Sequence, residues 1–165
     1  MKKFWTDIDS TLTDHWKRIR KWTRPQWPGD TVDSRCWTRE EVQQDRLLPM
    51  AGAVLRCVRD KGYEIGYLTA RGYGDARNIT LEQLKQLGVP DCWNVKIVST
   101  MADKVEFLRQ NPVDFYVDDF TTGQEHSIPT FRRETAEAIQ ALGIKVIVFR
   151  NDWEDVWEQF QLLSR

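Results

Sequence analysis

The sequence predicts an α/β fold, a doubly wound and mostly parallel five-stranded sheet within a single domain spanning residues 1–165. Three observations predict it. Five short apolar, β-rich runs are spread along the whole chain, helix-period stretches alternate with them, and no internal repeat or low-complexity tract breaks the series. Strands separated by helices need crossover connections, and crossovers join parallel neighbours.

In chain order, residues 3–8 read as the first strand. Residues 14–45, rich in Trp, Arg and Pro, then break the alternation and are too long for a tight connection. They read as an insertion over the end of the sheet, a small cap or lid. Met50, Val54, Leu55 and Val58 share one face of the next helix, which Gly62 stops. Residues 63–68 are the second strand, followed by a helix lined by Ile79, Leu84 and Leu87 and ended by Gly88 and Pro90. Residues 95–98 are the third strand, and Met101, Val105 and Leu108 line the helix after it. Residues 113–117 form the fourth strand, Ala138, Ile139 and Leu142 a helix before Gly143, and residues 145–149 the fifth strand. The stripe of Trp153, Val156, Trp157, Phe160 and Leu163 reads as the packing face of a last helix.

Composition narrows the class. With 24 Lys and Arg against 25 Asp and Glu, the net charge of −1 excludes a wholly cationic nucleic-acid coat and leaves room only for a local basic patch. No run approaches the roughly 18 apolar residues of a membrane helix. The Met-Lys-Lys start resembles a signal peptide, yet Asp7 and Asp9 interrupt any apolar segment behind it. Cys36, Cys57 and Cys92 are odd in number and far apart, so they read as reduced thiols of a cytoplasmic protein. His15 and His126 are the two histidines, too few for a His-rich zinc site.

In open α/β sheets, ligands bind beyond the carboxyl ends of the strands, where the strand order reverses. The first strand ends in Asp7-Ile8-Asp9-Ser10-Thr11, the second in Leu68-Thr69-Ala70-Arg71, and the fourth in Val117-Asp118-Asp119, with Lys104 in the helix before it. Four carboxylates gathered on one rim repel unless a positive charge sits among them. Oxygen donors without His or Cys suit Mg²⁺. A carboxylate can also act as a nucleophile and become an aspartyl-phosphate, with a second Asp moving protons and a Lys and a hydroxyl steadying the phosphoryl oxygens. Each motif alone has a bland reading: a turn, a helix cap, a strand end or a solvated lysine. Their joint occurrence at one sheet edge points to phosphoryl transfer.

These residues resemble the haloacid dehalogenase (HAD) superfamily from residue 3 to about residue 150. Asp7-Ile8-Asp9-Ser10-Thr11 looks like its first motif, Asp-x-Asp-x-Thr, with Ser10 where many members carry Gly. Tyr67-Leu68-Thr69-Ala70-Arg71 looks like the second motif, Lys104 fits the third, and Val117-Asp118-Asp119 fits the fourth in its paired-acid form. The resemblance implies that Asp7 is the nucleophile and a Mg²⁺ ligand. It implies that Asp9 is the general acid and base, its backbone carbonyl also on the metal. Thr69 and Lys104 would hold the phosphoryl oxygens, Asp118 would bind the metal directly, and Asp119 would do so directly or through water. The motif context favours Lys104 over Lys96. A response-regulator receiver uses similar residue types, but there the acid pair comes first and the Lys last, the reverse of the order here.

The expected substrate is a nucleotide or a nucleic-acid terminal (3′) phosphate, and the Thr69-Ala70-Arg71 stretch resembles the polynucleotide 3′-phosphatase and nucleotidase branches. Lys17, Arg18, Arg20, Lys21 and Arg24 interleave with Trp16, Trp22 and Trp27, a pattern of cations for phosphates and rings for bases. Arg20, Trp22, Thr11 and Arg71 are therefore expected on the substrate, with Arg71 forking onto a second phosphate or the leaving group. The alternatives are that the tryptophans form the lid's own core or an oligomer contact, and that the basic run is a solvated helix face. A rival from another class is a nucleic-acid-binding module on the same scaffold without turnover.

Overall fold

The computed structural model describes residues 1–25, 30–122 and 130–165. Its centre is a five-stranded parallel sheet: β1 (Lys2–Thr6), β2 (Tyr63–Ala70), β3 (Val95–Val98), β4 (Phe115–Asp118) and β5 (Lys145–Val148). The spatial order is β5-β4-β1-β2-β3, and every neighbouring pair is parallel. The order reverses between β1 and β4, so the crevice at the carboxyl ends of these two strands is where such a sheet presents a ligand site.

The helices are α1 (Trp16–Trp22), α2 (Arg39–Val42), α3 (Ala51–Asp60), α4 (Ala76–Leu87), α5 (Met101–Gln110), α6 (Arg133–Gln140) and α7 (Trp153–Leu163). Two apolar layers flank the sheet, because alternate strand residues point to opposite faces. Phe4, Ile65, Phe115 and Ile147 pack with Leu55 of α3, Leu84 of α4 and Phe160 of α7. Trp5, Leu68, Tyr116 and Val146 pack with Leu108 of α5 and Ile139 of α6. Among the described residues no helix is long and apolar enough to cross a membrane.

The five strands lie where the alternation puts them, with shifted ends. β1 stops at Thr6 rather than at residue 8. There the chain turns sharply: the N–H groups of Thr11, Leu12 and Thr13 all converge on the Ile8 carbonyl, and Ser10 sits at φ 62°. That left-handed conformation favours glycine. β2 runs on to Ala70, two residues past the expected end.

The described residues among 14–45 gather around a small apolar cluster of their own. An antiparallel pair, Thr13–Asp14 with Arg46–Leu47, closes its base, and α1, a 3₁₀ turn at Ser34–Trp37 and α2 surround the buried Ile19, Cys36 and Val42. Arg18 is buried with them, neither the solvated cation nor the phosphate contact that the sequence offered as readings of the basic run. Its Nε and Nη2 donate to the two Asp45 carboxylate oxygens at 3.1 and 2.9 Å, and Nη1 donates to the Cys36 carbonyl at 2.8 Å. Trp22 does not close this core by itself: the Arg35 guanidinium lies 4.3 Å from its ring centroid. Trp27 and His126 lie outside the described residues.

Gly66, in the middle of β2, has a steric reason. A Cβ built there would stand 2.1 Å from the Trp5 indole, which leans across the sheet onto Phe107. Gly66→Ala is expected to cost about 1–3 kcal/mol through overpacking. A melting temperature equal to that of the wild type in calorimetry would mean that the indole is not held against this backbone.

Candidate active site

Four segments from three strands and one helix meet at the crevice. β1 delivers Asp7, whose N–H bonds to the Val117 carbonyl at 2.8 Å and so extends the β1–β4 pairing by one residue. β4 delivers Asp118 and Asp119, and β2 delivers Thr69. α5 begins at Thr100 with a reciprocal capping box to Asp103, which fixes the phase of the helix and turns Lys104 inward. Lys104 Nζ lies 2.9 Å from Asp7 Oδ1 and 2.8 Å from Asp118 Oδ2, although the two carboxylates are far apart in the chain. Lys96 instead is exposed, over the Phe107 ring.

Thr11 is fully buried and ties the loop after β1 to the acid pair. Its hydroxyl accepts from the Asp119 N–H at 3.0 Å and is 3.2 Å from both Asp7 Oδ2 and Asp119 Oδ1. One hydroxyl proton serves two acceptors there, so either bond forms at the expense of the other. Asp118 is oriented by three donors: Lys104 and the Tyr116 hydroxyl on Oδ2, and the Phe120 N–H on Oδ1. Tyr116 escapes a motif search, yet period two places it on the same strand face as Asp118. Trp153 of α7 donates from Nε1 to the Thr11 carbonyl at 2.8 Å and braces the loop from below.

Ligand oxygens of Asp7, Asp118 and Asp119 all lie within 4.8 Å of one another. Burial, then the Asp118 charge, push the carboxyl groups of Asp7 and Asp119 upward from the ordinary range. Burial alone would lower the Lys104 amine, but Asp118 and Asp7 outweigh it and hold it above its usual value. One ammonium cannot neutralise three acids, so the cluster fits a further hard cation with oxygen donors.

Asp9 lies apart from that cluster and is held by cations. Arg71 forks onto it, Nε to Oδ2 at 3.0 Å and Nη2 to Oδ1 at 2.8 Å, while Nη1 donates to the Thr80 hydroxyl at 2.8 Å. Arg18 adds its Nη2 at 3.6 Å from Asp9 Oδ1. Burial would raise the Asp9 carboxyl, but the Arg71 charge and hydrogen bonds, helped by His15 and Arg18, hold it far below the usual carboxylate range. His15 is buried beside it, its Nδ1 2.9 Å from Ser10 Oγ, and burial pushes its imidazole down to about 4, so the ring is neutral at pH 7.

A cavity of about 1160 Å³ opens over Asp7, Asp9, Thr69, Arg71 and Lys104, with Trp37 and Tyr73 also in its lining. The four residues expected on the substrate fare differently. Thr11 braces two carboxylates instead of facing the cavity. Arg71 lines it, but its fork is turned onto Asp9 rather than outward. Arg20 and Trp22 lie on α1 outside the lining, Arg20 exposed and Trp22 between Lys21 and Arg35. Sequence reasoning missed Arg18 and His15 as neighbours of Asp9. Their signal was only a place in a basic segment that follows the first motif, which does not reveal a pairing.

No protein-family model and no curated protein matches the chain. Solved structures do. The class C acid phosphatase from Bacillus anthracis superposes with a TM-score of 0.59 at 17% identity, over 99% of this chain and 72% of that one. A tungstate-bound structure of the class C acid phosphatase from the same organism gives a TM-score of 0.56 at 18% identity, over 92% of this chain and 68% of that one. The chain thus shares its fold with these two structures, a parallel α/β sheet, and in this chain the acidic crevice lies at the reversal of strand order.

Proposed function

We propose that the protein is a phosphomonoester hydrolase that works through an aspartyl-phosphate on Asp7, and that its substrate is a nucleotide or a nucleic-acid terminal phosphate. One observation carries the reading: Asp7 stands at the floor of a large cavity at the strand-order reversal, oriented by Lys104 and Thr11, with a second carboxylate, Asp9, at the same wall. The acid phosphatase neighbours support the reaction class.

An Asp7 carboxylate oxygen attacks phosphorus, and the bond from phosphorus to the ester oxygen breaks. Lys104 and Thr69 hold the phosphoryl oxygens while charge shifts onto the leaving group. Water then attacks the acyl-phosphate, Asp9 accepts its proton, and inorganic phosphate leaves. Asp9 is ionised in its Arg71 fork, the state that this second step needs. Protonating the leaving oxygen in the first step requires Asp9 to loosen from the fork and take up a proton.

Asp7, Asp118 and Asp119, with the Asp9 backbone carbonyl, would hold Mg²⁺. When bound, the ion screens the carboxylates and draws charge from the phosphoryl oxygens. Chelation with EDTA is expected to abolish phosphate release and added Mg²⁺ to restore it; release that persists in EDTA contradicts this site. The decisive assay for the function compares a small aryl phosphate, mononucleotides, sugar phosphates and oligonucleotides phosphorylated at either end. Turnover of none of them overturns the proposal, and strand binding without release favours a binding module.

A further inference from the structure

A second cleft, of about 520 Å³, adjoins the site on the other side of Asp119 and shares Thr121 with the main cavity. Its floor is apolar (Leu48, Val148, Phe149), and the rings of Trp16 and Phe131 line it. Phe131 stays 41% exposed, unusual for a phenylalanine on a folded surface. At the rim are Arg150, Asn151 and Asp14, all three exposed. The volume lies within the range of small-molecule sites. Of the residues in the proposed chemistry only Asp119 touches it; Asp7, Asp9, Thr69 and Lys104 all line the other cavity.

The charges nearby are sorted in an informative way. In and around the insertion, Arg18, Lys21, Arg24, Arg35 and Arg39 each have a carboxylate partner. Arg150 in the cleft, and Lys17 and Arg20 on α1, make no ion pair among the described residues. Arg20 follows Trp16 by four residues, so the two share one helix face. A ring in the cleft is thus continued along α1 by an unpaired guanidinium, with another unpaired guanidinium at the cleft's own rim. Rings that stack on any base, alternating with cations that follow a phosphate backbone, are the physical means of holding a single strand.

We infer that this cleft and the Trp16–Arg20 face of α1 form a track for single-stranded nucleic acid, which leads from the phosphoryl site over Trp16, Phe131 and Arg150 and then past Arg20. The terminal phosphate enters the Asp7 cavity, a neighbouring base stacks in the cleft, and the Asp14 and Asn151 side chains offer hydrogen bonds to its edge. This deepens the proposed function and rests on it for turnover, though the binding itself does not require catalysis. It selects strand ends over free mononucleotides.

Two measurements test it. The first is kcat/KM of the Mg²⁺-loaded wild type for 3′- and 5′-phosphorylated octathymidylate, for the corresponding thymidine monophosphates and for a small aryl phosphate. At least one octamer is expected to exceed its monomer about tenfold, the contribution of one stacked base. Trp16→Ala and Arg150→Ala are expected to raise KM for the octamer at least tenfold more than KM for the aryl phosphate. The second is fluorescence anisotropy of labelled octathymidylate on Asp7→Asn protein, where the added Arg150→Ala or Arg20→Ala change is expected to weaken binding and flatten its salt dependence. Turnover of the aryl phosphate with octamers no better than monomers overturns the track and leaves the phosphatase standing. Strand affinity that is unaffected by either Arg150→Ala or Arg20→Ala also overturns it. If no ester is turned over, the phosphatase reading falls, and the anisotropy alone decides the track. A phosphotyrosine peptide hydrolysed as well as the octamer also counts against the track.

Discussion

Asp7→Asn is expected to lower phosphate release by at least about 10⁴-fold, the scale on which loss of an attacking side chain disables an enzyme that forms a covalent intermediate. The amide is nearly isosteric, so its contacts with Lys104 and Thr11 keep their geometry, but its nitrogen and neutral oxygen cannot form the acyl-phosphate. The fold is expected to persist. Burial and the Asp118 charge make an ionised Asp7 unfavourable in the metal-free protein, and a neutral amide removes that repulsion. The metal-free variant should therefore melt no lower than the metal-free wild type at pH 8. The sign follows from linkage: a carboxyl whose folded pKa is raised stabilises the fold below its unfolded pKa and loses that contribution as pH rises through the folded value. Acid-quenched wild type should retain radiolabelled phosphate on the chain, and the variant none. Turnover within tenfold of the wild type would remove Asp7 from the role of nucleophile.

The sheet and the acid cluster were legible because each is written in local pattern. Period two in residues such as Phe4, Trp5, Phe115 and Tyr116 assigns faces, and a carboxylate just past a strand end is placed by the strand itself. Lys104 was legible through its motif, and the capping box at Thr100 supplies the physical reason that it points inward. The insertion was legible only as an interruption. Which of its cations is buried depends on a partner 27 residues away, Asp45, and no periodicity encodes such a pairing. Arg71 illustrates the same limit. A guanidinium beside a phosphate site suggests a phosphate contact, whereas the structure gives its fork to Asp9, because the loop after β1 brings that carboxylate to the end of β2. The strand ends moved where turn chemistry intervened, as at Ser10.

Arg18→Met is expected to destabilise the protein by about 3–5 kcal/mol, the scale for breaking a buried ion pair on one side. Arg18 and Asp45 are both almost completely buried and joined by a two-pronged bond, so the substitution strands a carboxylate in the interior of the insertion. Methionine fills most of the vacated length, which confines the loss to charge and hydrogen bonding. The deficit should depend on pH. Burial holds the Asp45 carboxyl up at about 6 even against the hydrogen bonds from Arg18, and without Arg18 it must rise further. Below pH 6 Asp45 is protonated in both folded proteins and this contribution to the difference vanishes; from pH 6 upward the wild type ionises first and the gap widens. Adding Asp45→Leu removes the stranded charge, so the double variant should recover much of the loss, with a coupling energy of the size found for contacting residues. The double variant also separates stability from positioning at the site. Arg18 stands 3.6 Å from Asp9, and Arg71 alone would then hold that carboxylate. A refolded double variant with wild-type stability is therefore expected to show the Asp9-dependent limb of its kcat–pH profile shifted upward, because one of the cations that depress the Asp9 pKa is gone. Denaturant unfolding at pH 5 and pH 8 checks the first part. An Arg18→Met protein as stable as the wild type at both pH values would mean that Asp45 is reached by water and that the insertion has no ionic core.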